Sequence, residues 1–454
     1  MSTNESDTAT LAVERHGIDY VDPKLRHGVA RNQFTIRFAP VIYLAGIFVG
    51  AVGGAVGLGL VGSITAIVVA NLLGSIGTGL CAAMGPRLGM PQIPMGRAAF
   101  GYVGNYLPAA LSVLVYVGYY TVGTILGAKS LADLFDVSTS LMIVVVAALS
   151  IVIGIYGYQM LHVFGQWITR ISIVILAAVS IYMIAHGAGE GGASTLSGGD
   201  YWTAWLLQFT VVFGYTVSWA LYASDYSRYL PTSTSGTSVF WWATGGLFAA
   251  TTWMMVLGAG LISVDTSGDV IDAFGIVLPE WLRWVVLLTL GLSAIPHNSV
   301  NLYSGAMATL TCDVRVKQVT TVVVAGVLGG VLALAFGGED FQQDFGLFLH
   351  IVSYYIMPWL AVLLVSYFWV HRNGTAYPSF REFYDQRGRY AGVDWAGVGA
   401  MVVATVVSIP FMGNELFTGP VAAQLGGADV SYFVSGILAA GIYLALAKQV
   451  PSDG

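Results

Sequence analysis

Apolar residues in this 454-residue chain are gathered into long runs that short polar connections separate. Most runs approach 20 residues, a length that crosses about 30 Å of hydrocarbon as an α-helix. Short segments of alternating polarity, the pattern of a transmembrane barrel, are missing from the sequence. The pattern therefore predicts an all-α polytopic membrane protein with about twelve transmembrane helices. The predicted segments are 34–56, 60–84, 103–132, 139–158, 163–186, 203–224, 237–263, 282–308, 319–337, 345–371, 395–412 and 429–449.

Composition agrees with this class and narrows the function. Hydrophobic residues make up 56% of the chain and charged residues 9%, whereas a soluble domain carries about 25% charged residues. A basic run that could bind nucleic acid is missing. Because the connections are short, we expect no soluble catalytic domain, and the function must lie inside the helix bundle.

Basic residues set the predicted orientation. Lysines and arginines fall in alternate connections, which lie on the same side of the predicted membrane as the N-terminus. Only Lys129 and Arg283 fall on the other side. Positive connections stay in the cytoplasm. We therefore predict a multi-pass protein of the inner or plasma membrane with both termini inside. Residues 1–33 form a cytoplasmic segment, 34–449 a single transporter domain, and 450–454 a cytoplasmic tail.

Two segments carry signs of interruption. In the first, Pro40 lacks an N–H and crowds the preceding turn, which predicts a break near Ala39–Tyr43. The sixth, "FGYTVSWALYASDYSRYLP", places Tyr215, Thr216, Ser218 and Trp219 at mid-membrane. Two ordinary kinked helices are one interpretation. Interrupted helices five segments apart favour a transporter built from two inverted repeats, because broken helices form the substrate sites of such proteins.

The eighth segment contains the polar stretch "LSAIPHNSVNLYSG". Asn298 and Asn301 are three residues apart and share a helix face. Each amide offers a donor and an acceptor, which suits the edge of a heterocyclic base. Hydrogen bonds that only join helices are the alternative. His297 points roughly 100° round the helix from Asn298, and it could carry a proton near neutral pH or serve as a neutral structural residue.

The third segment, "LVYVGYYTVGT", carries an aromatic face with a small residue one turn after Tyr119, at Gly123. Tyrosine rings stack on planar ligands such as nucleobases. Packing within the bundle is the alternative interpretation of this stripe.

Several stretches together resemble one known family. "ERHGIDYVDPKLR", "GRAAFGYVGNYLP", "IYGYQMLHVFGQWITR", "ASDYSRYLP" and "NSVNLYSGAMATL" are similar to segments of the nucleobase–cation-symport-1 transporters. These are permeases for cytosine, purines, uracil, thiamine, allantoin and hydantoins. Within the family, the chain looks most like the purine–cytosine permease branch.

The resemblance implies twelve helices, of which the first ten form two five-helix inverted repeats. The repeats would cover about 34–186 and 203–371, and two extra helices about 395–449. Substrate would bind at the breaks of the first and sixth helices, against the third and eighth.

Tyr119 stands where a stacking tryptophan is usual. Thr216 replaces an aromatic residue, so that Tyr215 or Trp219 would supply the second wall. The implied substrate-binding set is Tyr43, Tyr119, Gly123, Tyr215, Thr216, Ser218, Trp219, Asn298 and Asn301.

The resemblance also bears on the coupling cation. Sodium-coupled members carry hydroxyl residues at the positions that here hold Ile295, Pro296 and His297. A site without those hydroxyls should bind sodium poorly, so we expect proton coupling, with His297 as the candidate residue. Neither an organic cofactor nor a bound metal is expected.

We therefore predict a monomeric secondary symporter, not an enzyme, that imports a nucleobase such as cytosine or a purine. Sodium coupling is one alternative, and an allantoin-, hydantoin-, uracil- or thiamine-type substrate is another. Thiamine is cationic and would favour a carboxylate, which the predicted midplane lacks. A membrane-embedded enzyme would need paired carboxylates, a metal set or a nucleophile–base pair, and His297 has no such partner in its own segment.

Overall fold

The computed structural model describes residues 17–156, 158–186, 192–264, 269–314, 316–338, 341–375, 377 and 380–447. Residues 1–16 of the predicted N-terminal segment and the whole predicted tail, 450–454, lie outside the described residues. Within the described ranges the regular structure is helical, apart from one isolated β-bridge between Gly413 and Thr418.

Every predicted segment overlaps a helix, or two helices in the first segment, and the helices are numbered after the segments. They are α1a (Asn32–Phe38), α1b (Leu44–Ala55), α2 (Leu60–Leu88), α3 (Tyr106–Phe135), α4 (Thr139–Tyr156), α5 (Tyr158–Ala185), α6 (Gly198–Val217), α7 (Gly236–Val264), α8 (Glu280–Thr311), α9 (Gln318–Phe336), α10 (Phe341–Val365), α11 (Trp395–Ser408) and α12 (Ser431–Leu446). Among the described residues, eight helices are long and apolar enough to cross a membrane, or nine if α1a and α1b form one span. The helices α4, α11 and α12 are apolar but shorter, so the count of twelve spans stays a prediction.

The helices pack into two groups. One group contains α1, α2, α6 and α7, and the other contains α3, α4, α8 and α9. Helix α5 packs on α8, while α10 and α11 pack on α12. Two such groups can rotate against each other around a central site, as alternating access requires.

Glycines bring α7 against both pieces of the first helix. A Cβ atom at Gly246 would overlap the backbone of Phe34 in α1a, and one at Gly258 would overlap the carbonyl oxygen of Ile47 in α1b. Small residues at such positions allow helix backbones to approach closely in lipid. The two pieces of the first helix are therefore fixed to one continuous neighbour.

Tryptophans mark the ends of the helices. Trp202 at the start of α6 and Trp281 at the start of α8 are exposed, as are Trp241 in the first turns of α7 and Trp395 at the start of α11. Tryptophan is enriched where the bilayer meets water. The exposed tryptophans therefore fit a protein whose outer surface faces lipid between two interfaces.

The predicted break in the first helix is confirmed. A 3₁₀ turn spans Ala39–Val41, and the axes of the two pieces differ by 67°. In the sixth segment the chain tightens rather than unwinds, because α6 is followed by a 3₁₀ turn at Ser218–Tyr222 and a short helix at Ala223–Ser227. Helix α8 continues through Pro296 without a break.

Residues 17–31 cross the face of the bundle where α1a begins, here called the N-terminal face. The Val21 amide donates to the Gly89 carbonyl (2.9 Å), and the His27 amide donates to the Tyr229 carbonyl (2.7 Å). The ring of Tyr20 stacks on Phe380 with centroids 3.8 Å apart. This segment, named the strap, thus joins the end of α2 and the turn after Ala223–Ser227 to the connection between α10 and α11.

Candidate functional site

The break of the first helix positions an aromatic stack at the centre of the bundle. Tyr43 has an extended backbone and precedes α1b, so its side chain leaves the helix and reaches α8. Its ring lies on the imidazole of His297 with centroids 3.8 Å apart and an interplanar angle of 21°. Trp219, in the 3₁₀ turn after α6, meets the same imidazole at 6.0 Å.

The hydrogen bonding of His297 defines its neutral tautomer. Its Nδ1 atom lies 3.1 Å from the carbonyl oxygen of Pro40. A carbonyl can only accept, so Nδ1 carries the hydrogen and, in a neutral imidazole, Nε2 is an acceptor. The Nε2 atom is buried and has no hydrogen-bond partner among the described residues. His297 therefore presents a free lone pair inside the bundle.

A second aromatic group lies beside the first. Tyr119 of α3 meets Tyr215 of α6 edge to face at 6.2 Å and Phe348 of α10 at 5.1 Å. The Ser218 hydroxyl donates to the Tyr215 carbonyl at 2.7 Å. Phe348 was not predicted, because one phenylalanine in an apolar segment gives no signal of its own.

Polar atoms without partners converge between these rings. The hydroxyls of Tyr43, Tyr119 and Tyr215, like His297 Nε2, are buried without a hydrogen-bond partner in the described part of the chain. The side chains of Tyr43 and Tyr215 lie within reach of each other, and the side chain of Tyr119 lies within reach of Ser218. Buried polar groups are normally paired, and each unpaired one costs about 1–3 kcal/mol. A polar planar ligand would satisfy several of them together. The central cluster is defined as Tyr43, Tyr119, Tyr215, Ser218, Trp219 and His297.

The structure places Asn298 and Gly123 together, at the contact between α3 and α8. Asn298 Nδ2 donates to the hydroxyls of Thr124 (2.9 Å) and Ser150 (3.3 Å). A Cβ atom at Gly123 would overlap Asn298 Oδ1. The amide thus joins α8 to α3 and α4, which is the alternative role that the sequence left open.

Asn301 bonds to the sixth helix. Its Oδ1 atom accepts from the Tyr222 hydroxyl at 2.5 Å, and its Nδ2 atom donates to the His297 carbonyl at 3.3 Å. The partner Tyr222 was not predicted, since nothing in the sequence distinguishes it from the other tyrosines.

Thr216 lies apart from the central cluster. Its hydroxyl donates to Asn71 Oδ1 of α2 at 2.5 Å, and its side chain packs where a Cβ at Gly74 would lie. The resemblance predicted a substrate contact here, but the structure directs the side chain to α2. Thr216 and Tyr215 point in different directions because successive residues of an α-helix are rotated by about 100° around its axis.

His297, Asn301 and Ser304 follow one face of α8, at spacings of four and three residues. Their partners are Pro40, Tyr222 and Asp225, since the Ser304 hydroxyl donates to Asp225 Oδ2 at 3.0 Å. This row, named the α8 ladder, connects one helix group to the other on the N-terminal side of the cluster.

A cavity of about 360 Å³ lies beside the ladder, between α1a, α5 and α8. His297, Pro40 and Ser293 are among the residues that line it, as is Arg170 of α5. His297 thus belongs both to this cavity and to the central cluster.

Comparisons with known proteins agree with this architecture. The family model for the permease for cytosine/purines, uracil, thiamine, allantoin matches residues 20–435. YxlA of Bacillus subtilis, a proposed purine-cytosine permease, is 30% identical over 96% of each chain. The purine-cytosine permease FCY2 of Saccharomyces cerevisiae is 23% identical over 93% of this chain and 84% of its own.

Among solved structures, the nucleobase-cation-symport-1 transporter Mhp1 in a closed conformation with bromovinylhydantoin bound superimposes with a TM-score of 0.77. It shares 19% identity and covers 95% of this chain and 94% of its own. The inward-facing conformation of Mhp1 gives a TM-score of 0.74 at 18% identity, over 94% of this chain and 91% of its own. The chain therefore has the fold of these transporters and belongs to the family of permeases for cytosine, purines, uracil, thiamine and allantoin.

Proposed function

We propose that this permease imports a nucleobase, cytosine or a purine, by symport with protons. The observation that carries the proposal is the position of His297. One nitrogen of its ring is held by the carbonyl of Pro40 at the helix break, and the other is buried without a partner in an aromatic cluster. His297 can therefore take up a proton at Nε2 and also lies beside the position proposed for a planar substrate.

The substrate class follows from the cluster and the relatives. Two aromatic groups, Tyr43 with His297 and Tyr119 with Tyr215, offer faces for a planar ring. The residues that define the cluster carry no carboxylate, which disfavours a cationic substrate such as thiamine. YxlA and FCY2 carry purine and cytosine in their names, and these bases fit a neutral aromatic site.

Proton coupling rests on the chemistry of the imidazole. A proton at Nε2 leaves the Nδ1 bond to Pro40 in place, because both nitrogens of an imidazolium are donors. The ring of Tyr43, which stacks on the imidazole, can stabilise the resulting cation through its π face. Uptake would then follow when the two helix groups rotate about the loaded site.

We further infer a multi-pass protein of the cell membrane, with both termini cytoplasmic and one chain as the transport unit. The distribution of basic residues supports this orientation. All residues of the central cluster belong to one chain, so the proposed site needs no residue from a second copy.

The test is uptake of labelled cytosine into proteoliposomes under a pH gradient or a sodium gradient, imposed separately, with unlabelled purines as competitors. We expect the pH gradient alone to drive accumulation, and His297→Ala to abolish it. The matched control is His350→Ala, which removes another buried histidine whose Nδ1 bonds a backbone carbonyl, on α10. Accumulation that only sodium drives, or pH-driven accumulation that survives in His297→Ala, would contradict proton coupling through this residue.

A further inference from the structure

The connection between α11 and α12 contains a buried carboxylate. Asp429 is only 3% exposed, and its Oδ1 atom accepts from the amide (2.9 Å) and the hydroxyl (2.7 Å) of Ser431. Its Oδ2 atom accepts from the hydroxyl of Tyr354, on α10. No lysine or arginine of the described ranges forms an ion pair with it. Because a buried charge is costly unless its oxygens are satisfied, Asp429 depends on these donors.

The Tyr354 hydroxyl joins the two ends of this connection. It donates to Asp429 near the end of the connection and accepts from Asn414 Nδ2, near its beginning, at 3.0 Å. Asn414 itself accepts the amides of Leu416 and Phe417 at its Oδ1 atom. One hydroxyl of α10 is therefore the point at which the whole connection is attached.

The same region is bonded to α6. The Thr210 hydroxyl of α6 lies 2.9 Å from the hydroxyl of Tyr432, in the first turn of α12. The ring of Phe213 stacks on Tyr432 with centroids 5.3 Å apart. The start of α12 thus has a fixed position against α6, and Asp429, which precedes it, can hold α10 relative to α6.

Helix α10 lies between this connection and the central cluster. Phe348 of α10 meets Tyr119 of the cluster at 5.1 Å. A Cβ atom at Gly214, next to the cluster in α6, would overlap the Ser353 hydroxyl of α10. Phe348 and Tyr354 are six residues apart, so they point to different sides of the helix. A shift of α10 at Tyr354 would therefore move the residues that pack on the cluster.

We propose that the α11–α12 connection positions α10 against the central cluster, and that Asp429 is the positioning residue, acting through Tyr354. The last two helices thereby take part in transport without contacting the transported molecule. The inference rests on the proposed function in one respect, because it takes the cluster as the place of that molecule. The attachment of α10 itself does not depend on the function.

The experiment measures how tightly α10 is held, using Asp429→Asn and Tyr354→Phe. Asparagine keeps an acceptor for Ser431 but offers Tyr354 an N–H in place of an acceptor. The reporter is Ser353→Cys, because Ser353 is fully buried against α6; Cys312 is replaced by alanine. Both variants should accelerate modification of this cysteine by a water-soluble maleimide roughly tenfold, as expected for loss of one hydrogen bond to a buried charge.

The internal control is Cys81, which is fully buried on α2, and both rates are read from peptides by mass spectrometry. Its rate should stay unchanged, whereas general loosening of the bundle would accelerate both. The matched control variant is Asp394→Asn, because Asp394 accepts the Ala396 amide at the start of α11 but is exposed. It should leave the reporter unchanged.

Two results would overturn the proposal. One is a wild-type reporter rate in both variants, and the other is an acceleration that Cys81 or Asp394→Asn shares. Tyr354→Phe removes a single hydroxyl and keeps the test decisive if Asp429→Asn does not fold. Combining the two substitutions should add nothing to either one, because both remove the same bond.

Transport provides a separate readout in proteoliposomes. Both variants should raise the KM for the transported base more than they change the maximal rate, because Phe348 would lose its fixed place against Tyr119. A wild-type KM would overturn the link between α10 and the cluster. If wild-type protein transports no nucleobase under any gradient, the proposed function fails, while the labelling comparison in detergent still decides whether Asp429 positions α10.

Discussion

The Nδ1 atom of His297 donates to the carbonyl oxygen of Pro40, across 257 residues of sequence. The Pro40 carbonyl needs the imidazole as a donor, and the imidazole needs this carbonyl to keep its hydrogen on Nδ1. Pro40 helps to end α1a, because a proline inside a helix removes a backbone hydrogen bond and crowds the preceding turn. A carbonyl at such a break needs a donor from elsewhere, and the imidazole supplies one. The same bond leaves Nε2 as the nitrogen that can exchange a proton.

Replacing His297 by glutamine should separate coupling from transport. Glutamine can still donate an N–H toward Pro40 but takes up no proton near neutral pH. We expect His297→Gln to exchange labelled for unlabelled base across the membrane and to lose concentrative uptake in a pH gradient. Counterflow and gradient-driven uptake in the same vesicles measure the two activities. Concentrative uptake at the wild-type level would show that the proton binds elsewhere.

Gly123→Ala should destabilise the contact between α3 and α8. The new methyl group overlaps Asn298 Oδ1, and overpacking of this kind costs about 1–3 kcal/mol. Thermal unfolding in detergent should therefore shift downward. Gly399→Ala on α11 is the control, since a Cβ there meets no atom within 4 Å.

The cause can be checked with Asn298→Ala in the Gly123→Ala background. Shortening Asn298 removes the overlap, so the destabilisation by Gly123→Ala should be smaller in the double variant than in wild type. Purely additive effects would contradict the proposed overlap.

Tyr222→Phe should loosen the α8 ladder. The change removes the hydrogen bond to Asn301 Oδ1, one of the links between the two helix groups, and a link of this kind contributes about 1 kcal/mol. We expect faster modification of a cysteine at Val300, which lines the cavity beside the ladder, by a thiol reagent. Cys81 and Cys312 are first replaced by alanine. Tyr120→Phe, whose lost bond lies within one group, should leave the rate unchanged, and equal rates in both variants would contradict the role of the ladder.

Tyr20→Ala should release the strap. The substitution removes the stack on Phe380, the aromatic contact between the strap and the connection that follows α10. Tryptic cleavage after Lys24, which is exposed within the strap, should then accelerate. Leu25→Ala serves as control, because its side chain is 55% exposed. Cleavage that is no faster than in this control would mean that the backbone hydrogen bonds of residues 17–31 hold the strap without Tyr20.

The sequence predicted the features that depend on local chemistry. Long apolar runs located the helices, and the missing N–H of Pro40 located the break. In the structure Tyr43, Tyr119, Tyr215, Trp219 and His297 are close in space, because each lies near the break of the first helix or the 3₁₀ turn after α6. Whether these residues bind substrate stays a prediction.

The direction of individual side chains could not be predicted in the same way. Periodicity shows which residues share a face of a helix, but it does not say which neighbour that face meets. Thr216 and Tyr215 are adjacent in sequence, yet one bonds α2 and the other enters the cluster. The partners Asn71 and Tyr222 were missed for the same reason, since a polar residue that bonds another helix looks in sequence like one that bonds a ligand.

The glycine contacts of α7 have a mechanical consequence for the break. Gly246 holds Phe34 on one side of Pro40, and Gly258 holds Ile47 on the other. The two contacts are twelve residues apart, or about 18 Å along a straight helix. Helix α7 therefore holds both arms of the bend at a fixed separation. The distance between these two contacts along α7 sets the position of the Pro40 carbonyl, although the same helix exposes Trp241 on the outer surface of the bundle.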